Sequence, residues 1–314
     1  AMDRLPLFSN MVVFTSYAMQ VVMAFMMVSM IFVMLPRAAV SAKRILEVLN
    51  MKNTIVDGHT EAGNTAGTVE FRNVSFKYPG AEEAVLDGVT FSAKKGETIA
   101  FIGSTGSGKT TILNLIPRLY DATSGEVFVD GVNVKEYKQA ALREKIGYVS
   151  QSAVLFSGTV ASNVSYSDET PITERVKRAV EIAQGQAFVE KLEGSYDGDI
   201  AQGGKNVSGG QKQRLSIARA IYHQPDIYLF DDSFSALDYK TDRELRHALK
   251  GETKDAITFI VAQRIGTIKE ADQIIVLEHG RIVGKGTHEE LMKTCDTYQE
   301  IAYSQLSKEE LGDE

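Results

Sequence analysis

Residues 103–110 read Gly-Ser-Thr-Gly-Ser-Gly-Lys-Thr, and they directly follow the apolar run Thr-Ile-Ala-Phe-Ile at residues 98–102. Every position fits the phosphate-binding P-loop pattern. The glycines allow backbone amides to curl around phosphate oxygens in conformations that a side chain would obstruct. The run before the loop is typical of a strand, and residues 111–115 are typical of a helix. This context distinguishes the motif from an ordinary glycine-rich turn.

The loop also carries the groups that a polyphosphate with a bound metal ion requires. Lys109 offers a point charge to the β- and γ-phosphates, and Thr110 offers a hydroxyl to Mg²⁺. The helix that follows directs its N-terminal amides and the positive end of its dipole at the same anion. The residues predicted to hold the phosphates are Gly103, Ser104, Thr105, Gly106, Ser107, Gly108, Lys109, Thr110 and Thr111.

Composition narrows the class of protein. The chain has 314 residues, a formal net charge of −7 and one cysteine. The acidic balance argues against sequence-independent binding of nucleic acid, which needs a basic surface. A single cysteine, Cys295, excludes an internal disulfide and suits a reducing compartment. The five histidines show no metal-ligand spacing, so we expect them to be structural or surface residues.

Residues 11–35 contain no charged side chain. A helix of this length spans about 37 Å, which exceeds a hydrocarbon layer of about 30 Å. The segment therefore predicts a transmembrane helix. A buried helix of a soluble protein is the alternative, but such helices seldom stay apolar all round for so many turns. Arg37, Lys43 and Arg44 follow at once, which predicts that the C-terminal side lies in the cytoplasm.

Seven of the ten methionines lie in this apolar segment. Five of them recur at intervals of three or four residues, which predicts a stripe on one helical face. The stripe serves packing against other transmembrane helices, or it offers an adaptable lining for varied hydrophobic ligands, because thioether chains are flexible and polarisable. One helix cannot enclose a pathway, so transport would require additional helices. The five methionines are Met19, Met23, Met26, Met30 and Met34.

Four parts follow one another along the chain. Residues 1–50 hold the apolar helix and its amphipathic extension, and residues 51–68 form a polar linker rich in glycine and threonine. Residues 69–305 alternate strand and helix patterns around the phosphate loop, which predicts a mainly parallel α/β core with helices on both faces. Residues 306–314 form an acidic tail.

Residues 207–211 read Val-Ser-Gly-Gly-Gln and resemble the Leu-Ser-Gly-Gly-Gln signature of ATP-binding-cassette (ABC) ATPases. The resemblance extends over residues 69–305. It implies a P-loop NTPase of ABC type, with an antiparallel β subdomain and a helical subdomain, that binds ATP and Mg²⁺. The preceding membrane helix is similar to the last of six helices in an exporter half, which implies further membrane helices upstream.

Other family motifs are recognised by position. Tyr78 resembles the A-loop aromatic that stacks on adenine, and Gln151 resembles the Q-loop glutamine that senses Mg²⁺ and the membrane domain. Residues 227–231 are similar to Walker B, and residues 235–238 are similar to the D-loop. The resemblance thus implies that Thr110, Gln151 and Asp231 hold the metal ion.

The signature has a physical use of its own. Ser208 can cap a helix, and the amides of Gly209 and Gly210 present a second positive helix end. In the family, this end covers the γ-phosphate held by the opposite subunit, so that two cassettes enclose two ATP molecules head to tail. The signature residues expected at the nucleotide are Ser208, Gly209, Gly210 and Gln211.

Two positions depart from the family members that hydrolyse ATP well. Those members carry Glu after the Walker B aspartate and His in the switch position, whereas this chain has Asp232 and Gln263. Aspartate is one methylene shorter, so it reaches an attacking water less well, and such positioning is commonly worth about 10²- to 10⁴-fold. Glutamine carries no positive charge, so it stabilises the transition state less. The catalytic candidates are Asp232, Gln263, Gln151 and Lys109.

We therefore expect a degenerate half of a heterodimeric bacterial exporter of hydrophobic compounds, placed in the cell membrane with its ATPase domain in the cytoplasm. Its own site would bind ATP and hydrolyse it slowly, and its signature would complete the competent site of a partner. The main alternative is a homodimeric exporter in which aspartate serves adequately. Two weaker alternatives are a soluble ABC ATPase of the repair or translation type, which the apolar segment disfavours, and a P-loop kinase, which has no use for the signature.

Overall fold

The computed structural model describes residues 4–63, 67–166, 168 and 170–305. The predicted acidic tail at residues 306–314 and part of the predicted linker lie outside the described residues. The chain divides into two compact units, residues 1–56 and residues 57–314. Each unit is described by itself.

The first unit is one long helix, α1 (Arg4–Leu49). The predicted span at residues 11–35 and its predicted extension form this single helix, with Pro36 inside it. Its most apolar window has a mean hydropathy of 2.3, and its length and composition suffice to cross a membrane. Its apolar side chains are exposed along the described length, so this unit buries no core of its own.

The second unit contains twelve strands among its described residues. Residues 69–71 and 74–76 belong to one bulged strand, because both parts pair with the same neighbour. The strands are β1 (Thr68–Phe76), β2 (Leu86–Lys94), β3 (Thr98–Gly103), β4 (Ser124–Val129), β5 (Val132–Asn133), β6 (Ile146–Val149), β7 (Gly158–Thr159), β8 (Asp199–Ile200), β9 (Ile227–Asp231), β10 (Ile257–Val261), β11 (Gln273–Glu278) and β12 (Arg281–Gly286).

Ten helices accompany these strands in the described part of the second unit. Most are short, and the longest begins inside the Val-Ser-Gly-Gly-Gln stretch. They are α2 (Lys109–Leu115), α3 (Gln139–Glu144), α4 (Val160–Ser165), α5 (Thr173–Ile182), α6 (Gln186–Val189), α7 (Gly209–His223), α8 (Tyr239–Glu252), α9 (Ile265–Ile268), α10 (His288–Thr294) and α11 (Asp296–Gln305).

The main sheet has six strands in the order β12-β11-β3-β10-β9-β6. The strands β11, β3, β10, β9 and β6 run parallel, and β12 is antiparallel at the edge. A second sheet, β2-β1-β4-β5, is antiparallel. The predicted combination of a parallel α/β core, an antiparallel β part and a helical part is therefore confirmed.

The six-stranded sheet separates two hydrophobic cores. Ile99 and Phe101 of β3 join one core with the antiparallel sheet and α2, whereas Ala100 and Ile102 join the other with helices α4 to α8. Side chains of a strand alternate between the two faces, so a fully apolar strand buries both. The parallel strands also end at one common edge, where the loops after β3, β9 and β10 meet.

Part of the predicted linker docks on the second unit. The amide of Gly58 donates to the carbonyl of Tyr137 at 3.0 Å, and the amide of Thr60 donates to the carbonyl of Glu136 at 2.9 Å. The amide of Gln139 donates to the Asp57 carboxylate at 2.7 Å. This segment is held by backbone pairing, which its polar, glycine-containing composition did not reveal.

Candidate functional site

The loop between β3 and α2 has the backbone conformation that the glycine pattern predicts. Gly103 has φ +149°, and a Cβ there would lie 2.0 Å from the carbonyl oxygen of Leu277. Gly108 has φ +99°, and a Cβ there would lie 2.6 Å from a methyl group of Leu86. At both positions the chain fits only because no side chain is present. The loop is thereby fixed against β11 on one side and β2 on the other.

Lys109 lies folded into this loop. Its ammonium group donates to the carbonyls of Gly103 at 2.9 Å and Ser104 at 2.8 Å, and to the hydroxyl of Ser107 at 3.3 Å. Burial lowers the pKa of Lys109, while the carboxylates of Asp231 and Asp232 oppose that shift. The charge is thus partly desolvated within the loop, where it strengthens the attraction for a phosphate.

Asp231, at the end of β9, contacts Thr110 of the P-loop. The hydroxyl of Thr110 donates to Asp231 Oδ1 at 2.9 Å. The one proton of the Tyr148 hydroxyl is shared between Asp231 Oδ2 at 3.3 Å and Asn114 Oδ1 at 3.2 Å. Burial raises the pKa of Asp231, and the hydrogen bonds from Thr110 and Tyr148 oppose that shift. Tyr148 lies on β6, next to β9, and sequence reasoning did not identify this contact.

These groups suit Mg²⁺ bound together with phosphate. Mg²⁺ prefers oxygen ligands and is usually held by one or two carboxylates, with substrate phosphates and waters completing the shell. Thr110 and Asp231 supply a hydroxyl and a carboxylate in contact with each other. Among the residues that the structure describes, no group of three His, Cys, Asp or Glu side chains could hold a metal ion alone. The donor set therefore fits a metal ion that depends on the nucleotide.

Asp232 is enclosed by the two predicted glutamines. Its Oδ2 accepts from the side-chain amide of Gln263 at 2.8 Å and from that of Gln151 at 3.2 Å. Its backbone is in the left-handed region, with φ +47°, and its amide donates to the carbonyl of Val261 at 2.9 Å. Burial raises the pKa of Asp232, and the hydrogen bonds from both glutamines oppose that shift. One carboxylate oxygen of Asp232 thus accepts two hydrogen bonds.

A cavity of about 500 Å³ brings these residues together. Its walls include most of the P-loop and the predicted residues at the ends of β6, β9 and β10. They also include side chains of β11 and α11 that sequence reasoning missed. The predicted residues in the walls are Gly103, Ser104, Thr105, Gly106, Lys109, Thr110, Gln151, Asp231, Asp232 and Gln263; the residues added by the structure include Glu278, Thr297, Glu300, Ser304 and Gln305.

Tyr78 lies beside the P-loop helix and outside the walls of that cavity. Its hydroxyl is 3.1 Å from the hydroxyl of Thr111. Its ring packs edge-on against Phe76 and Tyr120, with centroids at 4.8 and 5.2 Å. A half-buried ring held in this way is available for stacking on a planar group bound next to the loop.

The Val-Ser-Gly-Gly-Gln stretch forms the start of α7. The hydroxyl of Ser208 accepts from the amide of Gln211 at 3.3 Å, and the side chain of Gln211 accepts from the amide of Ser208 at 2.8 Å. This is a capping box, so Ser208 caps the helix as predicted. A Cβ on Gly209 would meet open space. None of the four predicted signature residues lines the P-loop cavity, so within one chain the structure does not bring them together.

These features define a P-loop nucleotide-binding domain with a parallel core, a strand end that carries a carboxylate next to the P-loop threonine, and a separate capped helix. Residues 86–235 match the ABC transporter family model. The chain therefore carries an ATP-binding cassette of the ABC transporter family, and cassettes of this family bind ATP, generally with Mg²⁺.

Known proteins agree with this identification. The chain is 43% identical over 309 residues to an ABC transporter ATP-binding protein of Mycobacterium tuberculosis, covering 96% of this chain and 53% of that protein. It is 42% identical to a putative multidrug export ATP-binding/permease protein of Staphylococcus aureus, covering 75% of this chain and 41% of that protein. The chain thus spans about half the length of the curated relatives it matches.

A solved structure shows the same fold. The structure of a bacterial Atm1-family ABC exporter with ATP bound aligns with a TM-score of 0.79 at 29% sequence identity, covering 88% of this chain and 49% of that one. The chain is thus homologous to exporters of the family.

Proposed function

We propose that this chain is the ATP-binding part of one half of an ABC exporter, whose own site holds ATP and hydrolyses it slowly. Its Val-Ser-Gly-Gly-Gln helix would complete the competent site of a partner half. The observation that carries the proposal is the state of Asp232, whose Oδ2 accepts from both Gln151 and Gln263.

Two amide donors occupy Oδ2 of Asp232. Burial raises the pKa of Asp232, and the hydrogen bonds from Gln151 and Gln263 offset part of that rise, because they stabilise the charged form of the carboxylate. The bonds also direct Oδ2 towards the glutamines, and a water molecule must compete with them for the same lone pairs. Aspartate already reaches less far than glutamate. Because positioning and proton acceptance are commonly worth about 10²- to 10⁴-fold in rate, slow hydrolysis at this site follows.

The groups that bind ATP are intact by contrast. The ammonium group of Lys109 is held by carbonyls of the loop, and Thr110 contacts Asp231. Tyr78 lies next to Thr111, where an adenine could stack. The bound metal ion would supply charge neutralisation of the phosphates. This chain's own residues would then bind and orient ATP without efficient proton transfer.

A second subunit enters the proposal because the signature lies away from the chain's own cavity. The glycine at 209 faces open space, and the amides at the start of α7 suit a phosphate that another subunit holds. We propose a head-to-tail pair with a second exporter half. The apolar helix α1 would be one span of a multi-pass protein of the cell membrane, with the cassette in the cytoplasm, and hydrophobic small molecules would be the cargo.

The test is the ATPase rate of the assembled complex. Asp232→Glu combined with Gln263→His should add turnover at this chain's site, whereas Asp232→Asn should change the total rate little, because the partner's site carries most of the hydrolysis. Ser208→Ala should lower the rate strongly while this chain still binds ATP. A complex that loses nearly all activity with Asp232→Asn would favour the homodimeric exporter instead.

A further inference from the structure

The last described helix, α11, takes part in the nucleotide site. Thr297, Glu300, Ser304 and Gln305 of this helix line the same cavity as the P-loop. The helix is firmly seated, because Tyr298 and Ala302 are fully buried. Residues three or four positions apart share a helix face, so Gln305 extends the face that this buried pair anchors.

Gln305 forms two hydrogen bonds with the segment that carries the switch residue. Its Nε2 donates to the carbonyl of Gln263 at 2.7 Å, and its Oε1 accepts from the amide of Ile265 at 2.9 Å. Ile265 is the first residue of α9, and Arg264 before it supplies no side-chain cap. Gln305 therefore pairs the Ile265 amide, which the start of α9 would otherwise leave without an acceptor. Its side-chain amide group thus links the backbone of Gln263 to that of Ile265.

These two bonds hold the backbone next to the Gln263 side chain, which lines the cavity. The amide of Gln263 lies 2.8 Å from Asp232 Oδ2, inside the cavity wall. A glutamine has three side-chain torsions, so the position of its amide depends on how firmly its backbone is held. Binding groups need to be kept within about 0.5 Å of their working geometry by supporting contacts.

We propose that Gln305 is a positioning residue, which holds the segment from Gln263 to Ile265 so that the Gln263 amide faces the terminal phosphate of bound ATP. This inference rests on the proposed function, in which this chain's P-loop holds ATP. It assigns to α11 a role in distinguishing ATP from ADP, since ADP has no terminal phosphate for Gln263 to contact.

The variant Gln305→Leu tests this role in the full-length, assembled transporter. It removes both hydrogen bonds and keeps a side chain of similar length. Binding at this chain's site is read from photolabelling of this polypeptide by an azido-ATP analogue, with a non-hydrolysable ATP analogue or ADP as competitor, both with Mg²⁺. We expect affinity for the ATP analogue to fall about three- to tenfold, as the loss of one or two hydrogen bonds implies, and affinity for ADP to stay unchanged.

Two further variants separate positioning from packing. Gln305→Glu keeps the oxygen that accepts from Ile265 and loses the donor to Gln263, so it should give an intermediate loss. Tyr303→Leu alters an exposed residue of the same helix that lies outside the cavity wall, and it should leave both affinities unchanged.

Two results would overturn the inference. Equal losses of affinity for the ATP analogue and for ADP in Gln305→Leu would show that α11 only supports the fold, and no loss of either affinity would show that Gln305 does not position Gln263. Failure of the proposed function looks different. It would appear in the unaltered transporter, as rapid ATP hydrolysis at this chain's site.

Discussion

Removing the Tyr148 hydroxyl should weaken the metal site and make it sensitive to acid. In Tyr148→Phe, Asp231 loses a 3.3 Å donor whose proton is shared with Asn114, and it keeps the 2.9 Å bond from Thr110. A full hydrogen bond contributes about 1 kcal/mol, so this shared bond sets an upper limit of about a fivefold loss of Mg²⁺ affinity. The ring stays in place, because Tyr148 packs against the antiparallel core.

The loss of Mg²⁺ affinity in Tyr148→Phe should depend on pH. Burial already raises the pKa of Asp231, and the Tyr148 bond opposes that rise. Removing the bond raises the pKa of Asp231 further, and only the ionised carboxylate binds Mg²⁺. The deficit of Tyr148→Phe should therefore grow as the pH falls from neutral.

The assay is a titration of Mg²⁺ at fixed ATP, followed by fluorescence of a bound nucleotide analogue at several pH values. Tyr228→Phe is the matched control. Tyr228 is buried on β9, more deeply than Tyr148, and it lies three residues before Asp231, so its side chain projects from the opposite face of the strand. Equal Mg²⁺ affinity of Tyr148→Phe and the unaltered protein at every pH would refute the assignment.

Three more predictions follow from close contacts and burial. Gly103→Ala should abolish ATP photolabelling, because its Cβ would lie 2.0 Å from the Leu277 carbonyl; normal labelling would contradict this. Gly58→Ala should release residues 57–63 to proteases in a folded domain, because its Cβ would lie 2.1 Å from the Glu136 carbonyl; an unchanged cleavage pattern would argue against docking. Burial lowers the pKa of His288, so the stability it contributes is present above about pH 6.5 and is lost as the pH falls; thermal unfolding of His288→Phe should show a weaker acid dependence.

The sequence predicted the centre of the site well because its chemistry depends on short local patterns. Residues at the carboxyl ends of parallel strands must meet at one edge of the sheet, so Gly103, Asp231 and Gln263 could be placed together before any coordinates were known. The structure brings them into one cavity. The predicted roles of these residues in catalysis and metal binding stay predictions.

The sequence did not predict the contributions of α11 and Tyr148. A helical pattern shows which face is buried but not which partner covers it, and Gln305 meets Gln263 across 42 positions of chain. The segment at residues 57–63 was missed for a different reason. Its contacts are made mainly by backbone groups, which leave little trace in side-chain composition.

The left-handed backbone at Asp232 affects both the stability of the fold and the choice of carboxylate at this position. Aspartate adopts such a conformation more readily than most residues with a side chain, because its short polar group can be satisfied locally. A longer glutamate would extend the carboxylate towards the nucleotide but would be strained by the same turn. The variant Asp232→Glu should therefore unfold at a lower temperature than the native protein, because the glutamate side chain gains reach at the expense of backbone strain.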